Sequence, residues 1–381
     1  MVKIRRRLAV ADAARYEGGL ATALSNLGVY LFVLGQHDEA LELTQEAVEA
    51  HRRVAQRDDR YRENLASALN NFGNRLAAVG RLDEALIAAD EAVALRRELF
   101  AADPVRYVGE LASALNNLAV RCKELGRHED AVIHGREAVT LKRERVNTRS
   151  DLQTRDAELA ELAAALNNLG EALAASKLGD LARETTAEAV DIFRALSEAY
   201  PGRYISDLAT ALSNLANRAW EDERATEAAE AAAGAVDLYQ ALIQAGNPGV
   251  LGDLSTALNN LSVYQAAAGH QAEAMQASRA AVTYLRHLVE ANSDRFSGDL
   301  GIALNNLATR LAVDRRPHEA LSHAEEAVRC LRPLHIAFPE RYRSDLLDCL
   351  TNLANRLSDL GNEAEAEHYR SEANRMRRHH T

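Results

Sequence analysis

Residues 115–118 read Leu-Asn-Asn-Leu, and this string decides the fold because it returns along the whole chain. It recurs unchanged at 166–169, 258–261 and 304–307, and with one substitution at 24–27, 69–72, 212–215 and 350–353. With the second Asn of each copy taken as an anchor, consecutive anchors are 45, 46, 51, 46, 46, 46 and 46 residues apart. Eight copies therefore fill the chain, with a five-residue insertion in the third. A fixed period of this length indicates a stack of repeated supersecondary units.

Each copy has the pattern of two helices. In the second copy, Leu65, Leu69 and Leu76 recur at helical spacing, Gly80 interrupts the pattern, and Asp83-Glu84 places negative charge at the start of a second helix. The chain has only 6 prolines and 20 glycines, which are too few for a turn-rich β protein. We therefore predict an all-α protein of about sixteen helices in antiparallel pairs, without a sheet.

Alanine fills two positions in every copy, 14 and 21 residues after the anchor. The first row is Ala40, Ala85, Ala131, Ala182, Ala228, Ala274, Ala320 and Ala366, and the second is Ala47, Ala92, Ala138, Ala189, Ala235, Ala281, Ala327 and Ala373. A small side chain at a fixed point lets two helices approach closely, and a larger one there would overpack the contact.

Together with Asn-Leu-Gly/Ala and a loop glycine nine residues after the anchor, these alanines resemble the tetratricopeptide repeat, and the length of the repeats resembles the kinesin light chain subtype. The loop glycines are Gly35, Gly80, Gly126, Gly269 and Gly361. Glu223 and Arg315 replace the glycine in two copies, and in the fourth we expect it to move to Gly179, with distorted turns in all three. The resemblance implies an α-solenoid of about eight helix-turn-helix repeats in a right-handed superhelix, with first helices lining a concave groove.

The two ends of the chain differ. Residues 1–15 align with the end of a second helix, so we interpret them as the remnant of a preceding repeat, and residues 16–381 as the array with a polar capping helix at its C-terminus. The first edge would then be apolar, open to self-association or to an upstream domain. We also expect the insertion at 146–155 to lengthen a connection or helix end without breaking the stack, and Pro333 to kink or end its helix early.

The polar face of the first helices is the candidate binding surface. The anchor is Asn in all eight copies, and the residue before it is Asn, Ser or Thr. An amide both donates and accepts hydrogen bonds, which suits a peptide backbone, and the resemblance implies that this position contacts bound peptides. The alternative is that the anchor bonds a neighbouring helix and sets the stacking. The candidate residues are Asn70, Asn74, Asn116, Asn117, Lys123, Asn167, Asn168, Glu171, Asn214, Asn217, Trp220, Asn259, Asn260, Asn305 and Asn306.

Trp220 is the only tryptophan, and it lies on this polar face rather than on the apolar stripe. We predict that a ligand crosses the third to fifth copies with its backbone on the asparagines and a side chain against Trp220. The alternative is a ring folded over its neighbours.

Charged rows border the same face. An arginine recurs four residues after the anchor and an acid seven before it. The rows are Arg75, Arg121, Arg218, Arg310 and Arg356, and Glu110, Glu161, Asp207, Asp253, Asp299 and Asp345. Either they form ion pairs between repeats, or the arginines bind carboxylates of a ligand.

Composition excludes several function classes. The net charge of −11 argues against nucleic-acid binding, no apolar run reaches the ~20 residues of a membrane span, and no catalytic, metal or cofactor motif is present. Arginine outnumbers lysine 41 to 4, which points to a GC-rich bacterial genome. We therefore expect a cytoplasmic, non-enzymatic scaffold that holds an extended peptide or protein segment in its groove. The alternative is a regulatory sensor array of a larger multidomain bacterial signalling or defence protein.

Overall fold

The computed structural model of the protein describes residues 2–148 and 151–378, and these residues form seventeen α-helices and two short 3-10 helices, with no strand among them. The α-helices, α1 to α17 in chain order, are Val2–Ala11, Ala13–Val33, His37–Ala55, Arg62–Ala78, Leu82–Ala102, Pro104–Glu124, His128–Thr148, Leu152–Ala175, Gly179–Ala199, Ile205–Glu221, Ala225–Gln244, Leu251–Ala267, Gln271–Ala291, Ser293–Val313, Pro317–Ala337, Pro339–Asp359 and Glu363–Arg378. The 3-10 helices are Asp59–Tyr61 and Pro248–Val250. The all-α prediction is confirmed.

The chain forms two compact units, Met1–Ile192 and Phe193–Thr381, and their boundary falls within α9. Inside each unit, a first helix packs against the second helix of its own copy, and that second helix packs against the next first helix. All sixteen repeat alanines are buried, with no more than 2% of any of them exposed. The predicted close helix contacts at these positions are therefore confirmed.

The turn between the two helices of a copy has one geometry throughout. The five predicted loop glycines have φ between 72° and 90°. Lys177, Glu223 and Arg315 occupy the same register with φ of 59–60°, so the expected move to Gly179 and the expected distortion are both wrong. The reason is that the turn keeps its two hydrogen bonds: Glu223 N donates to Trp220 O at 3.0 Å and Arg224 N to Ala219 O at 2.9 Å, as in the glycine turns.

Prolines lie at the start of several helices, and one lies inside a helix. Pro104 and Pro339 begin α6 and α16, and Pro248 begins a 3-10 helix. Pro333, however, lies inside α15, which runs to Ala337 and keeps the 21 residues of its neighbours, so the early end is wrong. The helix continues because Leu331 and Leu334, on both sides of the proline, pack into the same apolar cluster, which outweighs the loss of one backbone hydrogen bond.

The insertion lengthens α8, whereas α7 keeps the 21 residues of α5 and α6. α7 reaches Thr148, and α8, with 24 residues, is the longest helix of the described part of the chain. α7 still packs against α8, which confirms that the stack is not broken there; residues 149 and 150 lie outside the described residues.

The start of the chain has the geometry of a repeat junction. α1 packs against α2, and the side chain of Asp12 caps α2 by accepting from Arg15 N at 3.1 Å. Asp103 caps α6 in the same way, accepting from Arg106 N at 3.1 Å. The division of the chain at residue 15 remains a prediction.

Candidate peptide-binding face of the first helices

A hydrogen-bonded ladder of asparagine amides connects consecutive first helices. The anchor Asn of one copy donates through Nδ2 to Oδ1 of the Asn that precedes the anchor in the previous copy. The bonds are Asn117 to Asn70 at 2.6 Å, Asn168 to Asn116 at 3.1 Å, Asn306 to Asn259 at 3.0 Å and Asn352 to Asn305 at 2.8 Å. The anchor therefore sets the stacking, which was one of the two interpretations of this position.

The hydrogen-bond pattern of the ladder changes where a serine replaces the Asn before the anchor. In the fifth copy the residue before the anchor is Ser213, whose hydroxyl donates to Ala209 O of its own helix at 3.0 Å. The Asn260 amide then turns to Asn217 Oδ1, at 3.4 Å. Where serine replaces this Asn, the regular bond of the ladder is replaced by a longer one to Asn217.

Each acceptor asparagine keeps a group that the ladder does not use. Asn70, Asn116, Asn259 and Asn305 accept through Oδ1, and their NH2 groups bond no acceptor among the described residues. All four side chains are half-buried, so solvent reaches them. The ladder thereby leaves amide donors on the polar face of the first helices.

The other candidate asparagines have separate environments. Asn74 and Asn214 are half-buried on α4 and α10. Asn167 is buried on α8, with 8% exposed, and its Oδ1 has no hydrogen-bond partner among the described residues.

Lys123 and Glu171 form an ion pair between α6 and α8, and the side chains are 28% and 31% exposed. Both are candidate residues of the binding face. Because they neutralise each other across two first helices, a ligand meets a hydrogen-bonding pair here rather than a free charge.

Trp220 stacks on Tyr264, the residue four after the anchor of the next copy. Their ring centroids are 5.1 Å apart and the rings are tilted by 33°. Tyr264 is buried and its hydroxyl donates to Asn217 Oδ1 at 2.7 Å, and burial raises the pKa of Tyr264 to about 12. Trp220 remains 38% exposed, so the ring both covers its neighbour and offers an aromatic edge to solvent.

The arginine row bonds mostly within its own helices. Arg121 pairs with Glu124 at 3.2 Å, and Arg75 lies over the Phe32 ring, 4.3 Å from its centroid. Arg218 and Arg356 likewise pair with acids three residues on. Arg121, Arg218 and Arg356 thus pair with an acid one turn on in their own helix rather than with the acid row of another repeat. Arg75 has Ala78 at that place and contacts the aromatic ring of the preceding copy instead.

A second ladder, which sequence reasoning missed, lies on the second helices. An arginine 26 residues after the anchor pairs with a glutamate 20 residues after the next anchor. The pairs are Arg52–Glu91, Arg97–Glu137, Arg143–Glu188, Arg286–Glu326 and Arg332–Glu372. Arg6 pairs with Glu46 in the same register, which places α1 among the second helices. The recurrence of both residue types at a fixed offset was the available signal.

Sequence reasoning also missed a row of buried bases. The residue 25 after the anchor is His51, Arg96 and Lys142 in the first three copies, where 3%, 7% and 4% of each is exposed. In later copies this position holds residues such as Tyr239, Leu285 and Leu331. A charged residue at a position that is apolar elsewhere in the array was the signal for a special environment.

The geometry of paired helices agrees with the family comparison. Two profiles described as tetratricopeptide repeat match residues 19–98 and residues 111–150, 302–332 and 346–377. The chain belongs to the tetratricopeptide repeat family, whose repeats generally mediate protein–protein interaction. No curated protein matches the sequence.

Solved structures share the fold at low identity. BtubC (BKLC) from P. vanneervenii is 20% identical with a TM-score of 0.53, over 67% of this chain and 92% of that one. The apo form of RapI is 12% identical with a TM-score of 0.56, over 82% and 97%. A Signal Transduction ATPase with Numerous Domains from Pyrococcus horikoshii, which has a tetratricopeptide repeat sensor, is 13% identical with a TM-score of 0.58, over 94% of this chain and 52% of that one.

Within residues 2–148 and 151–378, no helix combines the length and the apolar character that crossing a bilayer requires.

Proposed function

We propose that the chain is a scaffold that holds an extended peptide or protein segment along the polar face of its first helices. The observation that carries the proposal is the set of amide donors that the asparagine ladder leaves unbonded on Asn70, Asn116, Asn259 and Asn305. Amide N–H groups bind backbone carbonyl oxygens whatever the side chains of the ligand are.

The spacing of the donors suits an extended chain. Packed helices lie about 8–10 Å apart, and an extended strand rises about 3.3 Å per residue. Two donors in adjacent copies, such as Asn70 and Asn116, are thus about three residues of the ligand apart. A backbone contact at that interval fixes register without selecting sequence.

Sequence selection falls to residues that differ between copies. The edge of Trp220, stacked on Tyr264, offers an aromatic contact for one side chain in the second unit, and exposed aromatics are common anchors at interfaces. In the first unit, Lys123 and Glu171 present a charge pair to a polar side chain. The partner is a peptide or protein rather than a nucleic acid, since the net charge is −11.

A sensor array is the second candidate function. The likeness to a signalling ATPase with a tetratricopeptide repeat sensor, over 94% of this chain, favours it. In that case, ligand binding on the same face is transmitted to another domain of a larger bacterial protein in the cytoplasm. An apolar N-terminal edge would contact that domain or a second copy of the chain.

Selection from a random-peptide display library tests the scaffold proposal. A selected peptide, synthesised and titrated against the full chain, should shift the fluorescence of Trp220, the only tryptophan. Moderate salt should weaken binding only slightly, because the contacts are neutral amides. Failure to select any peptide above background, or binding that persists unchanged when Trp220 and the ladder donors are altered, would reject this face as the site.

A further inference from the structure

Two consecutive copies of the first unit carry the same arrangement of a buried base, a serine and an acid. In the third copy, Lys142 Nζ lies 3.4 Å from Ser113 Oγ and 2.8 Å from a carboxylate oxygen of Glu161, which belongs to the next copy. The base is therefore satisfied by an acid that reaches it from the following first helix.

In the second copy, the corresponding base and acid, Arg96 and Glu110, do not form this ion pair. Arg96 Nη2 donates to Ser67 Oγ at 2.7 Å. Glu110, the counterpart of Glu161, forms no ion pair with it: Arg96 Nη1 and Glu110 Oε2 are both buried and have no hydrogen-bond partner among the described residues. Arg96 as a whole is only 7% exposed.

Arg96 Nη1 and Glu110 Oε2 each lose hydration without a replacement hydrogen bond, which is unfavourable. Burial lowers the pKa of Arg96, while the charges of Glu110 and Glu63 raise it. The acid is thus near enough to act on the base electrostatically, but a gap separates them.

The gap belongs to a cavity of about 300 Å³ in the first unit, lined by Arg96, Glu110, Ser67, Ser113 and Asn70, among others. Arg145 also reaches it, and its guanidinium lies over the backbone of Gly109: a Cβ at that position would be 1.3 Å from Arg145 Nη1. A side chain at 109 would therefore force the Arg145 guanidinium to shift.

We propose that this cavity binds a free α-amino acid, whose carboxylate bonds Arg96 and whose ammonium group bonds Glu110. A zwitterion supplies an anion to buried Arg96 and a cation to half-buried Glu110 in one molecule, so both charges are compensated without a net charge entering the site. A purely anionic ligand would leave the charge of Glu110 uncompensated, and a purely cationic ligand would leave the charge of Arg96 uncompensated.

The cavity has the right size. A water molecule takes about 30 Å³ in the liquid, so the volume holds roughly ten water-sized groups, in the range of an amino acid with a medium side chain. The hydroxyl and amide groups of Ser67, Ser113 and Asn70 favour a polar side chain over an apolar one. Asn70 belongs both to the ladder and to this cavity, whereas Arg96 and Glu110, which carry this inference, take no part in the peptide-binding proposal.

The test uses the full chain and the proteinogenic L-α-amino acids at about 10 mM, screened by thermal shift and then titrated by calorimetry. This concentration would detect a dissociation constant near 1 mM. At least one polar amino acid should bind, and its N-acetyl derivative and its α-carboxamide should each bind about 10-fold more weakly or not at all, because each lacks one of the two charges.

Arg96→Leu and Glu110→Gln should each weaken binding by about 10-fold or more. Leucine is tolerated because Leu285 and Leu331 occupy the same repeat position elsewhere. Arg97→Leu is the matched control: Arg97 pairs with Glu137 at 2.7 Å on the second-helix ladder and does not line the cavity, so binding should not change. Absence of binding by every amino acid, equal binding of the N-acetyl derivative, or unchanged binding by Arg96→Leu would overturn the assignment.

Discussion

The side-chain amide of Asn168 donates to Oδ1 of Asn116 at 3.1 Å, joining α8 to α6. The bond fixes the orientation of both amides, since one must donate and the other accept. The same hydrogen bond therefore joins neighbouring helices and determines which amide group is left for a ligand. This relationship separates the structural role of the anchor from the binding role of the residue before it.

Glycine at the left-handed turn positions should stabilise the protein. Lys177, Glu223 and Arg315 have φ of 59–60°, a conformation that costs an L-residue roughly 1–2 kcal/mol. Glycine avoids this cost, but it loses more backbone entropy on folding, so the net gain in stability is smaller. Glu223→Gly or Arg315→Gly should raise the free energy of unfolding by up to about 1 kcal/mol in urea titrations. Gly80→Ala, with φ of 78° at the same position, should lower it, and the reverse order of these stabilities would refute the common turn geometry.

Enlarging a repeat alanine should destabilise the stack. Ala92, on α5, is 1% exposed, and leucine there should overpack the contact at a cost of about 1–3 kcal/mol. Ala94→Leu, on an exposed position of the same helix, should change stability by less than about 0.5 kcal/mol. Chemical denaturation of the two variants distinguishes them, and equal stabilities would mean that position 92 has spare volume.

Acidification should destabilise the first unit through His51. Burial lowers the pKa of this imidazole, so below pH about 6.5 the unfolded chain takes up the proton first, and stability is lost as the pH falls through the folded pKa. His51→Leu should remove up to about 1.4 kcal/mol per pH unit of the wild-type slope between roughly pH 6.5 and 5. Urea denaturation across this range measures the slope, and an identical slope in the variant would exclude the protonation of His51 as its cause.

Removing the exposed aromatic should weaken peptide binding. Trp220→Ala should cost about 2 kcal/mol or more of binding free energy to a selected peptide, as the loss of an aromatic anchor does. Phe338→Ala is the control, since that ring is 59% exposed and lies at the start of α16. Calorimetry measures the peptide affinity of both variants, and equal affinities would show that the ligand side chain does not contact Trp220.

The sequence predicted the helices, their pairing and the alanine contacts because each of these repeats eight times. It failed at single residues where packing overrides local preference. Pro333 stays inside a helix because Leu331 and Leu334 are packed around it, and Glu223 adopts a left-handed turn because the turn's hydrogen bonds require it.

The row of candidate asparagines was predictable from the sequence, but the hydrogen bonds between them were not. The period showed that Asn116 and Asn168 share a face, yet which amide donates to which depends on the offset between neighbouring helices, which the pattern does not contain. The open pair of Arg96 and Glu110 was hidden for the same reason, since the acid comes from the next copy.

A pair of substitutions in the second unit tests the central claim, that the ladder bonds the copies together and leaves donors for a ligand. Asn306 donates to Asn259 Oδ1 at 3.0 Å. Asn259→Asp keeps the acceptor and loses the outward NH2, whereas Asn306→Asp loses the donor and places a carboxylate against an oxygen.

The measurement is the affinity of a selected peptide, followed through Trp220 fluorescence, together with the free energy of unfolding of each variant. The account predicts that Asn259→Asp binds more weakly at wild-type stability, and that Asn306→Asp loses about 0.5–1.5 kcal/mol or more of stability. Wild-type affinity for Asn259→Asp, or wild-type stability for Asn306→Asp, would contradict it.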